Sequence, residues 1–203
     1  KLISQLDFSA TPRYSKGGLF AWTIFDYPLK QAIVDNIVKR PVKGISKIQE
    51  SKSTTAHIRY TGFLTAGVER WKEYSEQLKN LNKKPILFVM MNSTEEADDV
   101  AEWLRKKYPN EFNGEKTLII HTDRQGEVSK KDLADARKLA RNVDQEKSPV
   151  NVIVSVVMLR EGWDVQNVTT IVGLRAFGGG EGNNILPEQT LGRGLRRMYR
   201  DKN

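Results

Sequence analysis

From residue 85 onward, short unbroken apolar runs alternate with stretches of helical spacing. Residues 86–91 read Ile-Leu-Phe-Val-Met-Met between Pro85 and Asn92-Ser93. A continuous apolar run of this length predicts a strand buried on both faces. Over 94–108, Ala97, Val100, Ala101 and Leu104 recur at helical intervals, with Ser93 or Thr94 as N-cap and Glu95 and Glu96 in the first turn. Residues 117–121 predict a second strand, and 129–142 a second helix with Leu133, Ala136 and Ala140 facing inward. Residues 150–157 and 168–174 are a third and fourth apolar run. A last helix is expected over 187–198, with Pro187 near its first turn.

Strand, helix, strand, helix, strand, strand, helix implies an α/β fold with a mainly parallel sheet and helices on its faces. Ligands of such sheets bind outside the carboxyl ends of the strands. Function is therefore expected at Asn92–Ser93, at His121–Asp123 and between Val157 and Asp164.

The first 84 residues are patterned differently. Residues 3–8 suit a strand that ends in the polar turn Ser9-Ala10-Thr11-Pro12. Leu29, Ile33 and Ile37, with Val34 and Val38, form one helical stripe that ends at Pro41. Residues 42–64 have no clean period, and 69–81 are helical, with Trp71, Tyr74, Leu78 and Leu81 on one face. The chain divides on this reading into a trailing piece of a preceding domain (1–28), a connector packed on the core (29–84) and the α/β core itself (85–203).

Charge adds to this division. The 203 residues carry 33 Lys plus Arg against 25 Asp plus Glu, a net +8. Residues 30–84 hold twelve bases and five acids, so +7 of that excess sits in the connector. A polyanion partner fits such a segment better than a uniformly basic coat would. Cys is absent, which excludes disulfides and thiolate metal sites and fits a reducing compartment, so a cytoplasmic location is expected. No apolar run approaches the roughly 20 residues of a membrane-spanning helix. The first residue is Lys rather than Met, which reads as a piece of something longer.

The sharpest chemical signal lies in the last predicted helix. Gln189, Gly192, Arg193 and Arg196 fit Q-x-x-G-R-x-x-R, and helical spacing sets Gln189, Arg193 and Arg196 on one face, with Arg197 at its edge. Two guanidiniums pointing one way clamp a phosphate or carboxylate. Gly192 and Gly194 each lower helix propensity by about 1 kcal/mol relative to Ala, which suggests close backbone approach to something. The bland alternative, a solvated basic face, leaves the Gln and the paired glycines unexplained.

Arg160-Glu161-Gly162-Trp163-Asp164-Val165 follows the third strand; Gly162 permits a tight turn, and Asp164 is placed for a ribose hydroxyl or a cation. A strand-to-loop turn with a helix cap explains these residues equally well. Ser9 and Thr11 alone are a capped turn by default, and His121 a hydrogen-bonded structural residue. Asn92 and Ser93 are first of all an N-cap, although a helix N-terminus also binds phosphate. With two histidines in the chain a His-rich metal site is excluded, and no metal ligands are assigned. There is no P-loop, G-x-S-x-G elbow, H-E-x-x-H motif or nuclease carboxylate set, and the glycine run at 178–182 does not complete G-x-G-x-x-G.

Taken in order, Ser9-Ala10-Thr11, Glu161-Gly162-Trp163-Asp164-Val165 and Gln189-x-x-Gly192-Arg193-x-x-Arg196 resemble the third, fifth and sixth motifs of superfamily 2 helicases. Asp7-Phe8-Ser9-Ala10-Thr11-Pro12, Tyr27-Pro28-Leu29 with Ile37-Val38-Lys39, and Leu191-Gly192-Arg193-Gly194-Leu195-Arg196 look like the Res subunit of type III restriction enzymes. The resemblance implies a RecA-like three-layer α/β/α lobe with an N-terminal connector, the second motor lobe of an ATP-driven DNA helicase or translocase. It implies ATP and Mg²⁺ held mainly by a first RecA-like lobe that carries the P-loop. Arg193 and Arg196 would be arginine fingers, and Gln189, Gly162 and Asp164 would face the nucleotide. Ser9 and Thr11 would couple hydrolysis to lobe movement. Asn92, Ser93, His121 and Thr122 would hold the nucleic-acid backbone. The related DEAD-box proteins place a Thr where this chain has Val156, so Ser155, one residue earlier, is the hydroxyl assigned there. The implied partners are DNA, the first lobe and a modification (methyltransferase) subunit, with no membrane. An RNA helicase, a repair translocase and a non-catalytic nucleic-acid-binding module are the alternatives.

Overall fold

The computed structural model describes residues 8, 20–44, 47–120, 142–145, 147–156, 165–174, 192 and 194–198. Four strands form one sheet in the order β2-β3-β1-β4, and every pairing is parallel. They are β1 (Ile86–Met90), β2 (Thr117–Ile120), β3 (Val152–Ser155) and β4 (Val168–Gly173). All five residues of β1 and all four of β3 are buried. These two strands occupy the centre of the sheet, where both faces are covered, and this is why their sequences show no alternation.

The two faces are nonetheless distinct. Leu87, Val89, Met91, Val152, Val154 and Val156 point to one side, and Ile86, Phe88, Met90 and Ile153 to the other. The first side is covered by α2 (Ala56–Arg59), α3 (Thr61–Leu78) and α4 (Thr94–Lys107). Helix α4 buries Ala97, Val100, Ala101 and Leu104, and its two alanines let the helix axis come close to the strands. Its N-cap is Ser93, whose hydroxyl accepts from the backbone N–H of Glu96. Phe112, on the short α5 (Pro109–Phe112), is buried against the ring of Trp71 at a centroid distance of 5.1 Å.

Helix α3 starts eight residues before the sequence pattern predicts one. Ala56, Tyr60, Leu64, Val68 and Trp71 make a single buried stripe that runs through α2 and α3. Thr61, Gly62, Thr65 and Gly67 lie between them and weaken the local helix signal. Gly67 has a packing reason: a Cβ there would overlap Val172 of β4, so its absence lets α3 lie against the sheet. Trp71 closes the stripe and donates its indole N–H to the Pro85 carbonyl at 2.8 Å.

Helix α1 (Leu29–Val34) is shorter than the stripe over 29–38 predicts. It ends because Asn36 takes a left-handed φ of 54°, a conformation Asn tolerates better than most residues. Of its residues only Ala32 is buried; Leu29 and Val34 are exposed, as is Ile37 beyond its end. The second face of the sheet is covered, among the described residues, by Val143 together with Val150 and Val165. Asn142 and Val143 are helical; the rest of the helix expected over 129–142 lies outside the described residues.

The expected helix over 187–198 is described in part. Gly192 and Gly194 are helical, Leu195 is in a turn and Arg196 and Arg197 are outside the helix. The helix therefore ends earlier than the spacing predicts, at the second of two glycines that disfavour it. The parallel sheet with helices packed on it is consistent with the RecA-like α/β class.

Candidate nucleotide and nucleic-acid site

The carboxyl edge of the sheet is built from the ends of β1, β3 and β4. The Met91 N–H donates to Ser155 at 2.9 Å and the Leu174 N–H to Met90 at 2.8 Å, so the three strand ends are tied to one another. Asn92 leaves β1 here and its side-chain amide donates to the Leu174 carbonyl at 3.4 Å. Ser93 caps α4 through the Glu96 N–H, and Glu96 reaches back one residue past the cap, to Asn92 rather than to the Ser93 N–H of a capping box. The Glu96 carboxylate accepts from the Asn92 backbone N–H at 3.2 Å and pairs with Arg59 at 3.3 Å. Arg59 is held in turn by the carbonyls of Ser53 and Thr54, at 2.8 and 3.1 Å.

This arrangement decides what the helix N-terminus is able to do. Its positive end already faces a carboxylate from its own first turn, so an incoming phosphate would compete with Glu96 rather than meet free N–H groups. Asn92 and Ser93 are thus brought together at the carboxyl edge, as their positions after β1 require, with the N-cap role realised.

Ser155 sits at the same edge but inside the sheet. It is wholly buried, flanked by Met90 and Ile120, and its hydroxyl donates to the Ile120 carbonyl at 3.3 Å. The hydroxyl therefore serves the sheet in this structure.

The arginine segment lies elsewhere. Gly194 rests on β4: a Cβ there would stand 2.5 Å from Ile171 Cδ1 and 4.0 Å from Val168 Cγ1. Leu195 is buried, and Arg196 and Arg197 are partly buried. Arg197 donates to the Asn36 carbonyl at 2.6 Å. Asn92 bonds the Leu174 carbonyl just past β4, whereas Gly194 packs on Ile171 and Val168, three and six residues earlier along the chain, so roughly 10–20 Å of strand lies between the two contacts. Ser9, Thr11, His121, Thr122, Gly162, Asp164, Gln189 and Arg193 lie outside the described residues.

Sequence reasoning did not find Lys39. Its ammonium donates to the carbonyls of Gln166, Val168 and Gly194, at 2.8, 2.6 and 3.4 Å. Burial lowers its pKa to about 8, and Asp144 opposes that shift. Asp144 accepts from the backbone N–H groups of Gln166 and Asn167, at 2.6 and 3.0 Å. No residue-type pattern announces such a site, because the partners of Lys39 are backbone carbonyls.

The chain is 30% identical over 112 residues to the probable type III restriction-modification enzyme HindVIP Res subunit of Haemophilus influenzae. The match takes in 54% of this chain and 20% of that protein, so the chain spans about a fifth of the relative's length. No family model and no solved structure matches the chain. None of the described helices is long and apolar enough to cross a membrane.

Proposed function

We propose that this chain is the second RecA-like lobe of an ATP-dependent DNA motor of the type III restriction Res type. The observation that carries the reading is the 30% identity to a Res subunit over half the chain, which falls on a chain whose motifs follow helicase order. The parallel α/β sheet supports it, since that scaffold suits such a lobe. The proposed division is a trailing piece of the first lobe over 1–28, a connector over 29–84 and the lobe over 85–203.

In this reading Arg193 and Arg196 stabilise the charge that develops on the transferred phosphoryl group of ATP. Gln189, Gly162 and Asp164 lie on the nucleotide side. Ser9 and Thr11 relay the state of the site to the lobe. Asn92, Ser93, His121 and Thr122 belong to the nucleic-acid side, and Ser155, assigned there too, would have to leave its bond to the Ile120 carbonyl to reach a backbone phosphate. The donor set suits a polyphosphate, because guanidiniums pair with phosphate in a bidentate way and Arg196 follows a backbone fixed by Gly194 and Leu195. Mg²⁺, like most of the ATP, would be held mainly by the first lobe; among the described residues no cluster of three or more His, Asp or Glu is placed to hold a metal.

A first lobe as partner is supported by the apolar side chains of the trailing piece: Trp22, Ile24 and Phe25 are 97%, 84% and 78% exposed, residue types that a fold usually covers. DNA as partner is supported by the +7 of residues 30–84. A methyltransferase subunit as a further partner and a cytoplasmic location follow from the restriction reading.

In the full-length natural polypeptide, Arg193→Ala and Arg196→Ala should each lower ATP turnover by about 10³-fold, as the loss of other arginine fingers does. Turnover near normal in both would remove their assigned role. The same basic segment favours one second reading, a nucleic-acid-binding module without an ATP role. ATP-dependent crosslinking to residues 189–196 separates the two, and titration with duplex DNA, single strands and RNA separates DNA motors from RNA helicases.

A further inference from the structure

Three segments distant in sequence meet at Lys39. Its ammonium has three N–H donors, and each has a carbonyl: Gln166, Val168 and Gly194. Its backbone N–H donates to the Leu195 carbonyl at 2.7 Å. From the other side, the Arg197 guanidinium donates to the Asn36 carbonyl at 2.6 Å. Residues 36–39 therefore fasten residues 194–197 at both ends, and the left-handed turn at Asn36 sends the chain out of α1 in the direction this needs.

The tie is specific rather than general packing. Placing a cation partly out of water is unfavourable unless its donors are satisfied and a counter-charge is near. Here all three donors are used, and Asp144 supplies the counter-charge. An apolar side chain would fill the same space but hold no carbonyl. The backbone so fastened runs between Arg193 and Arg196, and Gly194 and Leu195, the two residues between them, both bond Lys39.

We propose that Lys39 is a positioning residue: it fixes the backbone that carries Arg193 and Arg196, and through them sets the turnover of a bound nucleotide. This rests on the reading of the two arginines as nucleotide contacts. Misplacement of a reacting group by about 1 Å slows a reaction by about 10²-fold, so a tether of this kind acts on turnover more than on affinity.

Two variants of the full-length natural polypeptide test it. Lys39→Met keeps the aliphatic stem and removes the donors. Arg197→Gln breaks the tie from the opposite side, so the test survives if the first variant folds poorly. Amide hydrogen exchange is followed over 194–198 and over β1, and DNA-stimulated ATP turnover is measured in parallel. Exchange over 194–198 should quicken by about 10-fold or more while β1 stays protected. The kcat should fall by about 10-fold or more, with KM for ATP changed less than about 2-fold. Unchanged kcat in both variants, where Arg193→Ala and Arg196→Ala do abolish turnover, overturns the role of Lys39 and leaves the arginine reading intact. A fall in kcat without faster exchange over 194–198 overturns it as well. Should the arginine variants keep full turnover, the nucleotide reading falls. The exchange data then decide whether Lys39 fixes the segment at all, and unchanged exchange refutes that too.

Discussion

Gly192 and Gly194 look equivalent in the sequence, and their surroundings make them opposite. A Cβ on Gly194 meets Ile171, while one on Gly192 meets nothing within 4 Å. Gly194→Ala should destabilise the protein by about 1–3 kcal/mol through overpacking. Gly192→Ala should be neutral or stabilise by up to about 1 kcal/mol through helix propensity. Urea denaturation of the two variants checks this, and the reverse order would mean that residues 194–197 do not lie on β4. The sequence does indicate that paired glycines in a helical stretch mark a close approach. It does not indicate the neighbour, because Ile171 belongs to a strand about twenty residues earlier whose position only the fold supplies. The same limit hides Lys39, whose carbonyl partners carry no residue identity.

At the level of elements, legibility follows burial. The strands β1 and β3 are read from sequence because burial on both faces leaves only apolar residues to choose from. Helix α4 is read because its cap, acidic first turn and apolar stripe agree. The first half of α3 is missed because propensity and packing disagree there: two glycines and two threonines argue against a helix that the stripe from Ala56 to Trp71 requires. Helix α1 errs the other way, since its apolar residues have helical period but no described surface to bury against. Trp71→Ala should therefore destabilise by about 3–5 kcal/mol, while Leu81→Ala, at a residue 54% exposed, should change stability by less than about 0.5 kcal/mol. Equal effects would show that the two ends of the predicted stripe are packed alike. Ser93→Ala removes the acceptor for the Glu96 N–H and should lower stability by about 1 kcal/mol, with Ser93→Asp restoring most of it. Thermal or urea unfolding reads both. Of the proposed site, Asn92 and Ser93 are found at the strand end where topology puts them, since a residue that follows a parallel strand has little choice of edge.

Across the whole molecule, two lysines stand out at the amino end of the sheet. Lys39 holds carbonyls just before and at the start of β4, and Lys84, just before β1, donates to the Ser148 carbonyl at 2.6 Å. Burial lowers both to about pH 8, with Lys116 adding repulsion at Lys84. In the unfolded chain both return to the ordinary lysine value of about 10.5. Between about pH 8 and 10.5 the unfolded chain thus holds protons that the folded one has released. Stability from these two groups must therefore rise with pH through that window and level off on either side. The limit for one such proton is about 1.4 kcal/mol per pH unit. Lys39, the more buried, carries most of the effect, and Lys84, partly in water, carries a screened share. Every other group that titrates in this range is common to the wild type and to the double variant Lys39→Met/Lys84→Met, so the difference between their stabilities isolates the two lysines. Urea unfolding at pH 8, 9 and 10 should show the wild type gaining on the double variant by about 1 kcal/mol or more. A difference that stays flat, or falls, would mean that neither ammonium is desolvated in the folded chain. It would also mean that the carbonyls gathered at the amino end of the sheet are met by water rather than by lysine.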